Sequence, residues 1–315
     1  MYIDRKALED ILKENPNGFA AIEEFQNKNS DFQQHANKYN IARRFYADPS
    51  DNKRVYHYTK LDNLNEILSS GMFYMGSIND MNDPMEVKYT YELAVKVLKS
   101  IGAENHEISV FQKDYRVDFF DTYLWSFSYS DYNQALQNYG DIALGFDTQQ
   151  IQTALANRYT KPYFQNMQVG NAYVFSLKVE YNLDIQKNYI TSVMSEWLRA
   201  YRGLRYPKTL PIANAIRLEC LQALFLFSLC FKRYKYHQEE EIRFVLEKLT
   251  KDNKSQSDLL FNGYPKSIAK ITSNMLKEIV VTHTNGADKK LKMIRAILDK
   301  NGFKKTGVRM TDLDY

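Results

Sequence analysis

Residues 55–86 read VYHYTKLDNLNEILSSGMFYMGSINDMNDPME. Within this stretch the apolar residues from Leu61 to Leu68 recur at helical spacing, and extended apolar patterns lie before and after them. Thr59 is placed to cap the helix, and Gly71 is placed to end it. The stretch therefore predicts a strand, a short helix and a second strand, closed by a turn rich in Asn and Asp.

Outside this stretch, helical and strand patterns follow one another without strict alternation. Helices are predicted over residues 5–13, 19–28, 32–46, 86–100, 149–158, 191–201, 211–235 and 288–300. Strands are predicted over residues 124–128, 143–146, 173–181, 242–246, 279–281 and 303–308. This order favours an α+β protein over a doubly wound parallel sheet. We expect a helical N-terminal extension at residues 1–50 and a single α+β domain at residues 51–315.

The composition is that of a soluble globular protein with many aromatic side chains. The 315 residues are 44% hydrophobic and 25% charged, and they include 24 Tyr and 18 Phe. The net charge is only +4, so overall charge does not indicate a nucleic-acid-binding protein. There is no apolar N-terminal signal segment, and the longest apolar run, 221–231, is too short to span a bilayer. We therefore expect a cytoplasmic protein that does not engage a membrane.

Cysteine and histidine positions argue against a disulfide and a metal centre. Cys220 and Cys230 lie in one apolar helical pattern, about 15 Å apart along a straight helix, which excludes a bond between them. We expect buried thiols in a reducing compartment. The five histidines lack metal-ligand spacing, so no metal is expected. The P-loop, dinucleotide-binding, zinc-protease and serine-hydrolase motifs are also missing from the sequence.

Polar groups lie on or beside three of the predicted strands. They are His57-Tyr58-Thr59, Ser126 with Ser128, and Glu239 with Glu241 and Arg243. A histidine or a pair of serines on a strand can position a sugar, and a carboxylate kept ionised by an arginine can stabilise a cationic centre. Each group also has a structural interpretation: a core histidine, small residues beneath a helix, and solvated charges. A fourth group, Asn82-Asp83-Pro84 with Glu86, fits a turn that caps the next helix.

Taken together, these motifs resemble a large bacterial family of unknown function. The matching segments are YHYT at 56–59, NDPME at 82–86, SFS at 126–128, YG at 139–140, LGFD at 144–147 and EEEIRF at 239–244. The chain departs from the family pattern in two places. Leu136 stands where the family has Trp, and the loop between Gly140 and Leu144 is shortened.

The same order of motifs also resembles a distant version of the ADP-ribosyltransferase fold, in its bacterial toxin and phage-defence types. That resemblance implies a mostly antiparallel β core around an NAD cleft, with helices outside. It implies NAD as the substrate, Glu241 as the catalytic carboxylate with Glu239 as a second one, and His57 as the ribose anchor. The other NAD contacts would come from Tyr58, Thr59, Tyr74, Asn82, Ser126, Ser128 and Arg243.

Three hypotheses about function follow. The leading one is an NAD-dependent ADP-ribosyltransferase or NAD glycohydrolase of anti-phage defence or toxin type, with a protein or nucleic acid as acceptor and an antitoxin or phage component as trigger. The second is a nucleic-acid-binding or nuclease effector with a basic face formed by Arg43, Arg44, Arg199, Arg202, Arg205 and Lys208. The third is a non-enzymatic sensor or interaction protein, in which Glu241 and Arg243 form a buried ion pair.

Overall fold

The fold is α+β, as the order of sequence patterns predicts. The computed structural model describes residues 15–51, 53–80, 85–115, 121–160, 171–249, 256–282 and 286–311, together with Lys6 and Lys13. In these residues a mixed, mostly antiparallel sheet is flanked by helices.

Most of the described helices and strands overlap predicted ones, although the helix predicted at 191–201 begins at Leu183 and the helix predicted at 32–46 is divided in two. The helices are α1 (Pro16–Gln26), α2 (Asp31–Ala36), α3 (Lys38–Phe45), α4 (Leu61–Ser70), α5 (Met85–Ser100), α6 (Asn105–Asp114), α7 (Thr148–Tyr159), α8 (Leu183–Gly203), α9 (Leu210–Cys230) and α10 (Ala287–Lys300). The strands are β1 (Arg54–Thr59), β2 (Met72–Ser77), β3 (Asp121–Ser128), β4 (Ile142–Asp147), β5 (Ala172–Lys178), β6 (Glu241–Lys248), β7 (Leu259–Phe261), β8 (Tyr264–Lys270), β9 (Leu276–Val281) and β10 (Gly307–Met310).

The chain folds into two compact units, each assembled from three separate segments. The helical unit comprises residues 1–45, 83–119 and 180–234, and the sheet unit comprises residues 46–82, 120–179 and 235–315. The division at residue 50 made from the sequence falls near the first of these boundaries. Residues after that boundary, however, contribute to both units.

The helical unit is organised around α8 and α9. Helix α9 is apolar on nearly all sides, and it is the one helix in the described part of the chain that is long and apolar enough to cross a membrane. Because 61% of that apolar window is buried inside the fold, its burial is consistent with the core helix of a soluble protein. Cys220 and Cys230 are buried thiols in this helix, as predicted. Burial raises the pKa of the Cys220 thiol well above its ordinary value.

Two glycines allow α1 to approach the end of α8 closely. A Cβ atom added to Gly18 would lie 2.5 Å from the carbonyl oxygen of Gly203, and one added to Gly203 would lie 2.2 Å from the backbone nitrogen of Gly18. No larger residue fits at either position without separating the two helices. The preceding Pro16 is the first residue of α1, and Asn15 caps the helix by accepting the Gly18 N–H. The proline therefore begins this helix.

The sheet unit contains every described strand. Along the main path the order is β10-β9-β4-β1-β3-β2-β8-β7, and β6 pairs with both β3 and β5. Strands β9 and β10 are parallel, and the other described pairs are antiparallel. Helices α4, α7 and α10 belong to this unit.

One face of the sheet carries the main hydrophobic core of this unit. Trp125 and Phe127 of β3, Phe146 of β4, Phe244 of β6 and Met75 of β2 are fully buried there. Since side chains alternate along a strand, the residues between them point to the opposite face. That opposite face is the polar one, and it positions the candidate functional site.

Strand β3 is paired differently along its two edges. One edge pairs with β6 from Asp121 to Ser128. The other edge is shared, because β1 pairs with it only at Ser128 and β2 only at Tyr123 and Leu124. Within the described sheet, the three residues between, Trp125 to Phe127, have no strand neighbour on this edge. The sheet therefore opens between β1 and β2.

Some local predictions are confirmed and others are wrong. Gly71 ends α4 in the left-handed conformation, with φ of 61°, as predicted. Thr59, in contrast, is the last residue of β1 and makes no cap, and the Leu61 N–H is instead bound by the Asp141 carboxylate at 2.9 Å. The predicted turn at 81–84 lies outside the described residues. The hairpin formed by β7 and β8 was not predicted, although its turn, Asn262-Gly263, has the positive φ angles that this dipeptide favours.

The contact between α1 and α8 yields a stability prediction. Replacing Gly203 with Ala should lower the free energy of unfolding by about 1–3 kcal/mol, because the new methyl group overlaps the backbone of α1. Urea unfolding followed by circular dichroism measures this. Gly76→Ala is the control, because the nearest atom to its new Cβ would be 3.7 Å away. Equal unfolding midpoints for both variants would contradict the packing described.

Candidate functional site

A row of directly paired residues crosses the polar face of the sheet. Glu241 of β6 pairs with Ser128 of β3, Ser128 pairs with Tyr56 of β1, Tyr56 pairs with Gly145 of β4, and Gly145 pairs with Glu278 of β9. Direct cross-strand partners point to the same face. The five residues, which we call the polar row, therefore lie side by side, with a carboxylate at each end.

At one end of the polar row, Glu241 is held by Arg243. The Arg243 Nε donates to Oε1 of Glu241 at 2.8 Å, and its Nη2 donates to Oε2 at 3.0 Å. Both side chains are buried, with Arg243 1% and Glu241 7% exposed. Ser126 is the direct cross-strand partner of Arg243. The structure therefore brings together four of the predicted site residues: Ser126, Ser128, Glu241 and Arg243.

The chain enters β6 through a strained turn. Glu240 has φ of 45°, a left-handed conformation that residues with side chains rarely adopt, and such residues concentrate at functional sites. Its N–H donates to the carbonyl of His237 at 3.2 Å, and its carbonyl accepts the Tyr129 N–H at 3.2 Å. Glu239 is buried just before it, at the end of a 3₁₀ turn. The turn thus fixes the backbone position of Glu241, the first residue of β6.

Asn133 connects this turn to β3. Its Nδ2 donates to the carbonyl of Gln238 and to the Ser128 hydroxyl, and its Oδ1 accepts the Ala135 N–H. The residue is 5% exposed. Sequence analysis did not single it out, although an Asn followed by a short 3₁₀ helix is a recognisable cap.

At the other end of the polar row, Glu278 is surrounded by donors. It accepts hydrogen bonds from Arg54 at 2.8 Å, from the Tyr56 hydroxyl at 2.7 Å and from Arg309 at 3.0 Å. Burial acts to raise the pKa of Glu278, but the three hydrogen bonds outweigh it and lower that pKa to about 2. Burial and the Glu278 carboxylate together raise the pKa of Tyr56 to about 12. Arg309 also pairs with Asp131.

The absence of a side chain at Gly145 allows this arrangement. A Cβ added there would lie 2.9 Å from Cγ of Glu278 and 3.0 Å from Cε1 of Tyr56. The tyrosine ring therefore occupies the space above Gly145 and reaches Glu278 across the intervening strand.

His57 lies on the other side of the sheet from Glu241. Tyr56 shares the face of Ser128 and Glu241, so the next residue along β1 points toward the hydrophobic core. The His57 Nδ1–H donates to the Ser126 carbonyl at 2.9 Å, and the ring packs edge-on against Phe73, with 4.5 Å between centroids. Burial lowers the pKa of His57, which favours the neutral ring. This residue fills the opening between β1 and β2.

The other predicted NAD contacts are dispersed. Tyr58 is on the polar face and donates to the Ser130 carbonyl at 3.0 Å. Thr59 is buried and accepts from Asn63 at 3.3 Å. Tyr74 of β2 is half-buried, with its ring 5.1 Å from that of Phe261. Asn82 lies outside the described residues.

A third carboxylate on the polar face was missed by sequence analysis. Glu247 of β6 pairs with Thr122 on one side and with Tyr173 on the other. It is 5% exposed, and in the part of the chain that the structure describes its Oε1 has no hydrogen-bond partner. Burial raises the pKa of Glu247 to about 8. The alternation that places Glu241 and Arg243 on one face of β6 places Glu247 there as well, so the signal was present in the strand pattern.

The basic residues of the nucleic-acid hypothesis lie in the helical unit, and several are paired within it. Arg202 forms two bonds of 2.7 Å to Glu107, and Arg199 lies 3.5 Å from Glu196. Arg44 donates to the Tyr189 hydroxyl at 2.6 Å. Arg43 and Lys208 are exposed. Much of the charge on the proposed basic face is therefore used within the fold.

The Glu278 end of the polar row predicts an acid-sensitive component of stability. Because the folded-state pKa of about 2 lies below the ordinary value of 4.5, the stabilisation is complete above 4.5 and is lost as pH falls toward 2. Glu278→Gln should lower the unfolding free energy by roughly 2–3 kcal/mol at pH 6, and by progressively less as pH falls. Urea unfolding between pH 6 and pH 3 measures the difference, with exposed Glu66→Gln as the control. Parallel pH curves for wild type and Glu278→Gln would contradict the ionised state.

Glu247 predicts the opposite pH dependence. Its raised pKa means that the folded state favours the protonated acid, so stability is lost as pH rises from about 4.5 through about 8. Glu247→Gln mimics the protonated form and should raise the unfolding free energy by roughly 1–3 kcal/mol at pH 9, with little change at pH 4.5. Thermal unfolding at both pH values tests this. A variant destabilised equally at both would show that the carboxylate has a stabilising partner.

No family model, no curated protein and no solved structure matched this chain in the comparisons made.

Proposed function

We propose that the sheet unit binds NAD and cleaves its bond between nicotinamide and ribose, passing ADP-ribose to a macromolecule or to water. The observation that carries the proposal is Glu241, a buried carboxylate whose two oxygens face the Arg243 guanidinium. An arginine so close keeps a carboxylate ionised, and a fixed anion is what an oxocarbenium-like centre requires. The resemblance of the motif order to ADP-ribosyltransferases supports the same assignment of Glu241.

The proposed reaction requires that the ribose of NAD be oriented and that its developing positive charge be stabilised. The C1′–N bond breaks, its electron pair passes to the nicotinamide nitrogen, and the positive charge moves onto the ribose. An oxygen or nitrogen of the acceptor then bonds to C1′ and loses its proton. Glu241 would stabilise the cationic ribose, while Ser126 and Ser128 would orient it from the neighbouring strand.

The remaining predicted residues have smaller roles in this proposal. His57 would act from the opening between β1 and β2, and its hydrogen bond to Ser126 couples it to the strand that carries the serines. Tyr74 would stack on the nicotinamide ring, with Phe261 beside it. Glu239 would support the turn that precedes Glu241.

The biological setting is also part of the proposal. A cytoplasmic location, a protein or nucleic acid acceptor, and control by an antitoxin or a phage component follow from the resemblance to toxin and defence enzymes. The nucleic-acid-binding alternative is less well supported, because Arg44, Arg199 and Arg202 are engaged within the helical unit.

One observation favours a second candidate, a non-enzymatic sensor or interaction protein. Both oxygens of Glu241 already accept hydrogen bonds from Arg243, which is the arrangement of a structural ion pair. Removing one member of a buried pair leaves an uncompensated charge and costs about 3–5 kcal/mol of stability. If the protein is a non-enzymatic sensor or interaction protein, removing Glu241 would destabilise the fold, and there would be no reaction for the substitution to slow.

Nicotinamide release from NAD tests the proposal. Purified protein is incubated with NAD, alone and with cell lysate or nucleic acid, and released nicotinamide is measured by chromatography. We expect release by the wild type and a loss of about 100-fold or more in Glu241→Gln, because the charge that stabilises the cation is removed. Glu240→Gln is the matched control, since it makes the same chemical change at the neighbouring exposed residue, and it should retain activity.

Two further measurements separate a lost reaction from a lost fold. Ser128→Ala leaves the pair of Glu241 and Arg243 intact and should lower turnover about tenfold, with a smaller loss of melting temperature than Glu241→Gln, because it removes only the hydroxyl that accepts from the Asn133 amide and the Ser130 N–H. The melting temperature is also recorded with and without NAD. If the wild type releases no nicotinamide under any condition and NAD does not raise its melting temperature, the enzyme proposal fails. A strong destabilisation of Glu241→Gln in that case would favour the non-enzymatic role.

A further inference from the structure

A cavity of about 590 Å³ lies in the sheet unit, away from the polar row. Its wall is formed by the start of α4, the 3₁₀ turn that leads into β4, and the start of α10. This volume is within the range of sites that bind small molecules. The motif residue Gly140 lies in its wall, but the proposed reaction does not use the cavity.

Three lysines line the cavity: Lys60, Lys289 and Lys290. Lys290 is 2.9 Å from the Asp141 carboxylate, whose other oxygen binds the Leu61 N–H, so both of these charges are engaged. Lys60 and Lys289 are exposed, and among the described residues neither ammonium group has a hydrogen-bond or ion-pair partner. Asp62 also lines the cavity, so three lysines face two aspartates and the wall has a net positive charge.

The wall also offers neutral donors. Gln137 and Asn138 contribute amide side chains, and Gly286 places the first turn of α10 at the cavity. Among the described residues no side chain caps this helix, and its first backbone bond runs from the Lys290 N–H to the Gly286 carbonyl. The first N–H groups of an α-helix have no acceptor within the helix, and a helix N-terminus favours negative charge.

The backbone at the floor of the cavity is closely packed. A Cβ added to Gly140 would lie 2.0 Å from the backbone of Thr59 and 2.6 Å from the Lys60 nitrogen, so the turn and the end of β1 are in direct contact. Asp141, the next residue, ties the same turn to α4 and α10. The lysines are thus presented by a preformed backbone, which lowers the ordering cost of binding.

We propose that this cavity binds a small phosphorylated ligand, with Lys60 and Lys289 neutralising its phosphate groups and the Gln137 and Asn138 amides donating to them. Leu61 and Met293 supply an apolar side of the wall, suitable for the organic part of a phosphate ester. The proposal does not depend on NAD cleavage, because it concerns residues that the proposed reaction leaves unused.

Isothermal titration calorimetry with inorganic pyrophosphate at low ionic strength tests this site in the full chain. We expect saturable binding with one site per chain, and an affinity lowered about tenfold in the double variant Lys60→Gln, Lys289→Gln. The matched control is Lys304→Gln, Lys305→Gln, which removes two exposed lysines that do not line the cavity. The control should bind within about twofold of the wild type. Each single variant, Lys60→Gln or Lys289→Gln, should show a smaller loss of its own.

Several outcomes would overturn the assignment. They are the absence of saturable pyrophosphate binding by the wild type, an equal loss in the control variant, or binding of single-stranded DNA without binding of pyrophosphate. Glu241→Gln is titrated alongside, and it should bind pyrophosphate as the wild type does. Loss of nicotinamide release with retained pyrophosphate binding would thus separate the two proposals.

Discussion

The sheet unit depends on how its opening beside β3, between β1 and β2, is filled. Strand β3 pairs along one whole edge with β6 and divides its other edge between β1 and β2. A backbone carbonyl in such an opening needs a partner when water is excluded. The His57 ring provides it for Ser126, and the stacked rings of Phe73 and Trp125 fill the adjacent space. Among the described residues, the opening is therefore closed by side chains rather than by backbone pairing between β1 and β2.

The polar face shows three ways of burying a carboxylate in one sheet. Glu241 is paired with an arginine on its own strand, and Glu278 is bound by two arginines and a tyrosine from two other strands, β1 and β10. Glu247 has no cation beside it among the described residues, and burial makes it favour its proton. Burial removes all three carboxylates from water, which disfavours their charged forms. The hydrogen-bond donors beside each carboxylate then determine whether it stays ionised or is protonated. At Glu241 and Glu278 the hydrogen bonds from arginine hold a carboxylate anion in a fixed position. Such an anion can stabilise a positive charge that develops in a reaction, and its hydrogen bonds also stiffen the sheet.

The sequence predicted most of the local structure because periodicity is local information. The alternation in β6 identified Glu241 and Arg243 as neighbours on one face, and the structure shows them bonded. The position of His57 on the opposite face could not be predicted, since it depends on the register between β1 and β3, which are about 70 residues apart. The donors to Glu278 come from Arg54, 224 residues away, and from Arg309. The hairpin at Asn262-Gly263, in contrast, was not predicted, although this dipeptide is a local sequence signal for such a turn.

The way the segments are divided between the two units has a consequence for how this chain is made. The chain passes from one unit to the other five times, after residues 45, 82, 119, 179 and 234. No continuous stretch of the gene encodes either unit, and a ribosome must translate as far as residue 234 before all segments of the helical unit exist. During synthesis, each early segment waits for partners that are far downstream, so its apolar surface is exposed for longer than in a protein with sequential domains. The two units must therefore be inherited, expressed and folded as one piece.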